Sequence, residues 1–151
     1  MLPTVFNQQL PLALGCDHAG YELKEAVKNL LQQNGWTVDD KGTHSADSTD
    51  YPDYAHPVAD MVSTGAASVG ILICGSGNGV CMTANKHQNV RAALCWNEEI
   101  AALARQHNNA NIICIPARFV SQELAFTMID TFLSIAFEGG RHERRVAKMA
   151  L

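Results

Sequence analysis

The sequence lacks the marks of several large protein classes. No Lys or Arg precedes Lys24, so the basic start of a secretory signal peptide is missing. The five cysteines are an odd number, lie far apart and form no CxxC pair, which argues against a disulfide framework and against a zinc site. We therefore expect a protein of the reducing cytoplasm that needs no metal ion.

Charge and hydropathy exclude further classes. The formal net charge of the 151 residues is −4, so the protein as a whole repels nucleic acid, and an anionic ligand needs a local basic cluster. Residues 61–85 carry no charged side chain, but five glycines interrupt this run, and a bilayer-spanning helix is not expected. With 47% hydrophobic and 17% charged residues, the composition is that of an ordinary globular protein.

Short apolar runs alternate with amphipathic stretches along the chain. Five strands are predicted, at residues 11–16, 36–38, 69–74, 91–95 and 111–115. Helices are predicted around residues 23–31, 58–62, 80–86, 100–107 and 125–136, with a loop at 43–57. This alternation predicts one α/β domain over residues 1–151, a three-layer α/β/α, Rossmann-like, doubly wound sheet of about five parallel strands. Residues 1–10 are an N-terminal extension, and residues 141–151 a C-terminal basic helix.

A glycine-rich segment lies where such folds bind ligands, at the carboxyl end of a strand. Gly75-Ser-Gly-Asn-Gly79 follows the most apolar predicted strand and opens a helix. Glycines there let backbone N–H groups approach an anion. A tight turn that needs positive φ angles is the alternative explanation. The segment has neither the GK[ST] end of a Walker loop nor a GxGxxG pattern.

Cys74 ends that strand directly before the glycine segment. Backbone N–H dipoles and the Ser76 hydroxyl favour a thiolate at this place, and a thiolate acts as a nucleophile or as a general base. A buried structural cysteine is the alternative. We assign that structural role to the other four cysteines, Cys16, Cys81, Cys95 and Cys114.

Polar residues also stand near other strand ends. Asp17 and His18 follow the first strand, where they contact a ligand or where Asp17 simply caps the next helix. His107, followed by Asn108, ends a helix just before the fifth strand; it suits proton transfer, or it is a cation placed at a helix C-terminus. The other histidines before residue 107, namely His44, His56 and His87, are interpreted as surface residues.

The strongest basic cluster begins at Arg141. Arg141 and Arg145 are four residues apart and share one helix face, which makes a fork for phosphate. The alternative is a solvated basic turn that pairs with Glu138 and Glu143, because charge runs are usually solvated.

Together these residues resemble the sugar-phosphate isomerases of the ribose-5-phosphate isomerase B type, within the LacA/LacB-like superfamily. Six segments carry the resemblance, in the family's order from about residue 12 to 149: Gly15-Cys-Asp-His-Ala-Gly20, Thr49-Asp-Tyr-Pro52, Ile71-Leu-Ile-Cys-Gly-Ser-Gly-Asn-Gly79, Ala84-Asn-Lys86, Arg105-Gln-His-Asn108, and Glu138-Gly-Gly-Arg-His142 with Arg145.

The resemblance implies a cofactor-free aldose–ketose isomerase that interconverts ribose 5-phosphate and ribulose 5-phosphate. It implies Cys74 as the base and His107 as the acid that opens the sugar ring, with Asp17 assisting. The implied substrate contacts are Asp17, His18, Tyr51, Gly75, Ser76, Gly77, Asn78, Gly79, Asn108, Arg118, Arg141 and Arg145. Among them, the resemblance assigns binding of the phosphate to His18 and the three arginines. The implied assembly is a homodimer or a dimer of dimers with shared active sites, without nucleic-acid or membrane partners.

One branch of the family uses a glutamate base a few residues beyond the glycine loop. Here that position is Val80, which cannot take a proton, whereas Cys74 is present. The sequence therefore resembles the branch with a cysteine base. Three alternatives stay open: the same chemistry on a hexose 6-phosphate (galactose or allose 6-phosphate), a non-catalytic sugar-phosphate or nucleotide sensor, and a thiol redox protein that uses Cys74.

Overall fold

The computed structural model describes residues 1–151 and contains one five-stranded, wholly parallel sheet. The strands are β1 (Leu12–Cys16), β2 (Val38–Asp40), β3 (Val69–Cys74), β4 (Ala92–Leu94) and β5 (Ile112–Pro116). Their order across the sheet is β2-β1-β3-β5-β4. From β1 the chain adds β2 on one side of that strand, and it then adds β3, β4 and β5 on the other side, so the sheet is doubly wound. The predicted Rossmann-like architecture is confirmed.

Six α-helices connect or follow the strands. They are α1 (Tyr21–Gln33), α2 (Pro52–Thr64), α3 (Asn78–Ala84), α4 (Glu98–Asn108), α5 (Gln122–Ser134) and α6 (Arg141–Ala147). None of these helices combines the length and the apolar character that crossing a bilayer requires. The basic helix predicted over residues 141–151 is α6, which begins at Arg141 but ends at Ala147.

Two apolar clusters cover the two faces of the sheet. One contains the buried side chains of α1, α4 and α5, and the other those of α2 and α3. Every residue of β3 is buried, as is typical of the central strand of a parallel sheet. This arrangement brings the carboxyl ends of β1, β3 and β5 together at one edge of the sheet.

Among the predicted boundaries that shift, two have a clear physical reason. The second strand was expected at residues 36–38, but it spans Val38–Asp40. The two aspartates of β2 obscured its true bounds; the buried Lys24 amino group, 2.8 Å from the Asp40 carboxylate, allows this acidic residue in the strand. The loop expected at residues 43–57 ends at Tyr51, and α2 begins at Pro52, since a proline is tolerated in the first helical turn.

The N-terminal extension packs onto the domain. The Val5 N–H donates to the Leu133 carbonyl oxygen at 2.9 Å, and the Phe6 ring stacks on Phe132 with centroids 6.1 Å apart. The same Phe6 ring covers the buried Arg105 guanidinium, 4.5 Å from its centroid. Burial lowers the pKa of Arg105 to about 10. Phe6 therefore shields a cation that belongs to the last turns of α4.

Replacing Phe6 by alanine is expected to lower the free energy of unfolding by about 2 kcal/mol, since a partly buried ring and a cation–π contact are lost. Urea denaturation at fixed protein concentration measures this change. Leu2→Ala is the matched control in the same segment; its side chain is 62% exposed, so a change within about 0.5 kcal/mol is expected. Equal effects of the two substitutions would show that the Phe6–Arg105 contact adds nothing.

Candidate active site

Backbone hydrogen bonds join the three strand ends at the carboxyl edge. The Asp17 N–H donates to the Ile73 carbonyl oxygen at 3.2 Å, and the Ala117 N–H donates to the Cys74 carbonyl oxygen at 2.9 Å. The Arg118 N–H donates to the Gly75 carbonyl oxygen at 3.1 Å. The segments after β1, β3 and β5 thus form one connected surface, as the rule for parallel sheets predicts.

Cys74 is buried, with 4% of its surface exposed, and its sulfur belongs to the turn of the glycine loop. The Gly77 N–H donates to Cys74 Sγ at 3.1 Å. Such a donor stabilises negative charge on sulfur. We expected the Ser76 hydroxyl to donate to the thiol. In the structure Ser76 Oγ instead accepts from the Asn78 N–H at 3.3 Å.

The glycines of the loop serve two purposes. Gly77 has a φ of 76°, which a residue with a side chain rarely adopts, so the turn explanation holds at this position. At Gly79 the reason is close approach: a Cβ atom there would lie 2.5 Å from the Tyr51 ring. The Arg118 guanidinium lies close to Gly75, where a Cβ atom would be 3.1 Å from its Nη1. Two site side chains therefore rest directly on the loop.

Asp17 and His18 are locked in place by local hydrogen bonds. Asp17 Oδ1 accepts from the N–H groups of Ala19 and Gly20 at 3.0 and 3.2 Å, so the capping role is real. His18 and Thr49 bond reciprocally: the His18 N–H donates to Thr49 Oγ1, and the Thr49 N–H donates to His18 Nδ1 at 3.1 Å. The neutral imidazole then carries its proton on Nε2, which is free to donate to a ligand.

An open cleft of about 520 Å³ lies beside these groups, lined by Asp17, His18 and residues 49–53. Tyr51 borders both this cleft and Gly79, so the cleft adjoins the glycine loop. Thr49 also lines this cleft. It lies in the segment from Thr49 to Pro52 that carries the family resemblance, but the motifs alone did not mark it as a substrate contact. A smaller cavity of about 230 Å³ lies under the N-terminal extension, and no candidate catalytic residue lines it.

The other four thiols have surroundings that shift their pKa values. Burial raises the pKa of Cys16 and of Cys95 to about 12, so both are protonated at neutral pH. Burial also raises the pKa of the fully buried Cys114, whereas a hydrogen bond with Cys114 lowers the pKa of Cys81. The Cys81 thiol donates to the Ala92 carbonyl oxygen at 3.3 Å, which ties it to the backbone.

His107 and Asn108 lie at the opposite edge of the sheet. They form the end of α4, and β5 begins four residues later at Ile112, so they belong to the amino edge. Cys74 pairs with Pro116 at the far end of β5. Four residues of strand span about 13 Å. One chain therefore does not bring His107 to Cys74.

Helix α6 places further groups beside His107. The rings of His107 and His142 stack with centroids 4.2 Å apart. Burial and the nearby His107 and Arg141 lower the pKa of His142. Arg141 and Arg145 are exposed and form no ion pair with any carboxylate, so the expected alternative of pairing with Glu138 or Glu143 does not occur.

His56 and His87 were interpreted as surface residues without partners. They are at the surface, but His56 Nδ1 and His87 Nε2 form a hydrogen bond of 2.8 Å. The two residues belong to α2 and to the turn after α3, and only the packing of these helices brings them together.

Exposed apolar side chains flank the site edge. Met82 is 65%, Trp96 53% and Phe119 75% exposed. Met82 belongs to α3, which follows the glycine loop, while Trp96 and Phe119 lie two and three residues beyond the ends of β4 and β5. Exposed apolar side chains of this size are the kind that a partner surface can cover.

Fold and site define a class: α/β proteins with a doubly wound parallel sheet and a glycine loop at the carboxyl end of its central strand. Residues 12–149 match the family described as Ribose/Galactose Isomerase. The chain belongs to this family, and it is an enzyme of the aldose–ketose isomerase type.

Individual relatives agree over nearly the whole chain. Ribose-5-phosphate isomerase B of Escherichia coli is 45% identical over 135 residues, which cover 89% of this chain and 91% of that protein. The crystal structure of a ribose 5-phosphate isomerase from Thermotoga maritima shows 50% identity and a TM-score of 0.91, with 93% and 97% of the two chains covered. Ribose-5-phosphate isomerase B of Mycoplasma genitalium, with ribulose-5-phosphate bound, shows 43% identity and a TM-score of 0.91, with 95% of each chain covered.

Proposed function

We propose that this protein interconverts D-ribose 5-phosphate and D-ribulose 5-phosphate without a cofactor. The observation that carries the proposal is the Cys74 sulfur, held 3.1 Å from the Gly77 N–H at the carboxyl end of the central strand. The solved relative with bound ribulose-5-phosphate supports a pentose phosphate as the substrate. The polar cleft beside Tyr51 supplies room for a sugar.

The proposed chemistry is a proton transfer between neighbouring carbons. The Cys74 thiolate removes the proton from C2 of the open-chain aldose. The C–H electron pair forms the C1=C2 double bond, and the C1=O π pair moves onto O1 to give an enediolate. Those backbone N–H groups of the loop from Gly75 to Gly79 that are not already bonded within the turn, together with the side chains of Ser76 and Asn78, stabilise its oxygens; one such donor is typically worth about 2.7–4 kcal/mol. The thiol then returns the proton to C1, while a hydroxyl proton moves from O2 to O1.

Ring opening comes first when the substrate is the cyclic aldose. We assign it to His107 as the proton-transferring group, with Asp17 assisting and Asn108 and Tyr51 contacting the sugar. His107 lies at the amino edge, so this assignment requires the His107 of a second copy. The exposed Met82, Trp96 and Phe119 around the carboxyl edge support such a contact. We therefore propose a homodimer, or a dimer of dimers, whose active sites are shared.

The phosphate is assigned to four basic side chains. His18 and Arg118 come from the chain that supplies Cys74, and Arg141 and Arg145 from the chain that supplies His107. The two arginines of α6 are exposed and free of carboxylate partners, so they are available for a phosphate. Binding energy from this remote group positions the reacting carbons.

Arg141→Ala is expected to raise KM for ribose 5-phosphate by about 10- to 100-fold, which corresponds to losing one charge-assisted hydrogen bond. Its effect on unphosphorylated ribose should be small. Arg144→Ala is the matched control, because Arg144 is exposed on the same helix and has no assigned role. Steady-state kinetics with ribose 5-phosphate and with ribose measure the two effects. Equal effects of Arg141→Ala on both would show that Arg141 does not contact the phosphate.

A hexose 6-phosphate is the second candidate substrate, since the family's description names galactose as well as ribose. The two are separated by a panel of ribose, allose and galactose phosphates assayed with one enzyme preparation. The proposal predicts the highest kcat/KM for ribose 5-phosphate. Higher values for a hexose phosphate would move the assignment to that sugar, and binding without turnover on all of them would favour a sensor.

A further inference from the structure

His107, Glu138 and His142 form a compact cluster where the end of α4 meets the start of α6. Their ligand nitrogen and oxygen atoms all lie within 4.8 Å of one another. Glu138 Oε2 is 3.9 Å from His107 Nε2 and 3.6 Å from His142 Nε2. Two imidazoles and one carboxylate are a donor set that binds Zn²⁺ and leaves a fourth position open.

The backbone around the cluster holds the three residues close. The Glu138 N–H donates to the Gln106 carbonyl oxygen at 3.1 Å, which pins the connection between α5 and α6 to the residue before His107. Glu138 and His142 are four residues apart. Neighbouring elements therefore deliver the three side chains to one place, although nothing in the spacing along the sequence suggested a metal site.

The cluster is also accessible to an ion from solvent. The His142 side chain is 8% exposed, whereas those of His107 and Glu138 are 38% and 50% exposed. Ligand atoms around a tetrahedral zinc ion lie about 3.3 Å apart, given Zn–N distances of about 2.0–2.1 Å. Because an ion bound to an imidazole lies in the plane of the ring, the half-exposed His107 ring has to turn out of its parallel stack on His142 before both can bind one ion. Glu138 is exposed and can follow, while the buried His142 supplies the fixed point.

We propose that this cluster is a reversible binding site for Zn²⁺ or a similar divalent transition-metal ion, and that the bound ion inhibits the enzyme. The ion occupies His107 Nε2 and takes that nitrogen away from the sugar. The inhibitory part rests on the function proposed for His107, whereas the binding part does not.

Titration calorimetry of the full-length protein with zinc chloride tests the site directly. We expect one ion per chain, and at least about tenfold weaker binding in Glu138→Gln and in His142→Phe, each of which removes one ligand. His142→Phe keeps a ring stacked on His107. Two controls remove competing donors and should bind as the unmodified protein does: His87→Ala breaks the other histidine pair, and Cys74→Ala removes the site thiol.

Unchanged affinity in Glu138→Gln and His142→Phe, or lost binding in either control, would overturn the site. The inhibitory role is tested by turnover of ribose 5-phosphate at increasing zinc, where Glu138→Gln should need at least about tenfold more zinc for half inhibition. If the protein binds zinc and still converts ribose 5-phosphate at the full rate, the proposed inhibition is wrong and the binding site stands. A protein that isomerises no sugar phosphate would defeat the proposed function, while calorimetry still decides the site.

Discussion

Replacing Cys74 by alanine is expected to lower kcat for ribose 5-phosphate by about 10³-fold, within the range that general base catalysis contributes. The affinity for the sugar phosphate should stay nearly the same, because the phosphate contacts and the glycine loop are unchanged. Alanine removes only the sulfur from a side chain that is buried at a strand end, so the variant should fold. Steady-state kinetics and titration calorimetry with ribose 5-phosphate measure the two quantities.

Cys81→Ala is the matched control for that substitution. Cys81 is the other thiol near the loop, it is half-buried, and it bonds to the Ala92 carbonyl oxygen. Its loss should change kcat less than about threefold, as expected for a residue that takes no part in proton transfer. Full turnover in Cys74→Ala, or a comparable loss in both variants, would remove Cys74 from its role as the base.

A mixed dimer of Cys74→Ala and His107→Ala chains should regain about half of the activity of the unmodified dimer. If each site takes Cys74 from one chain and His107 from the other, the mixed dimer has one damaged and one intact site. Each variant alone should be at least about 10²-fold slower, as for other acid–base residues. The assay starts from ribose 5-phosphate, because only the cyclic aldose needs ring opening. Two affinity tags allow the mixed dimer to be purified.

The control for this experiment pairs an unmodified chain with one that carries both substitutions. In a shared arrangement each of its two sites then lacks one group, so this dimer should be nearly inactive. The opposite pattern, with an inactive first dimer and a half-active second one, would place Cys74 and His107 in the same chain's site.

The central strand shows what the sequence alone could predict. Residues 69–74 are wholly apolar, lie between loop segments and form β3 with the same bounds, because burial on both faces of a parallel sheet leaves no other pattern. The edge strand β2 was expected two residues too early, and its bounds could not be found in this way. Its apolar content is low, and its stability depends on the ion pair between Lys24 and Asp40, which joins residues from different elements.

The candidate site also combines features that the sequence predicts with features that depend on tertiary packing. Cys74 and the glycine loop are neighbours in sequence, so local reasoning placed them together at a strand end. The sequence predicted both backbone N–H groups and the Ser76 hydroxyl as partners of the sulfur. Only a backbone N–H, that of Gly77, donates to it, because the donor depends on the turn that Gly77 makes with its positive φ. The pairing of His56 with His87 and the His107–Glu138–His142 cluster depend on helix packing, which periodicity does not reveal.

The central claim is that the Cys74 sulfur carries the proton between the two sugar carbons, and exchange with solvent reports on that step directly. Ribulose 5-phosphate is incubated in D₂O with the unmodified protein or with Cys74→Ala, and NMR follows the hydrogen on C1. The account predicts deuterium at C1 with the unmodified protein and none above the enzyme-free rate with Cys74→Ala. Deuterium incorporation by Cys74→Ala at the unmodified rate would contradict it.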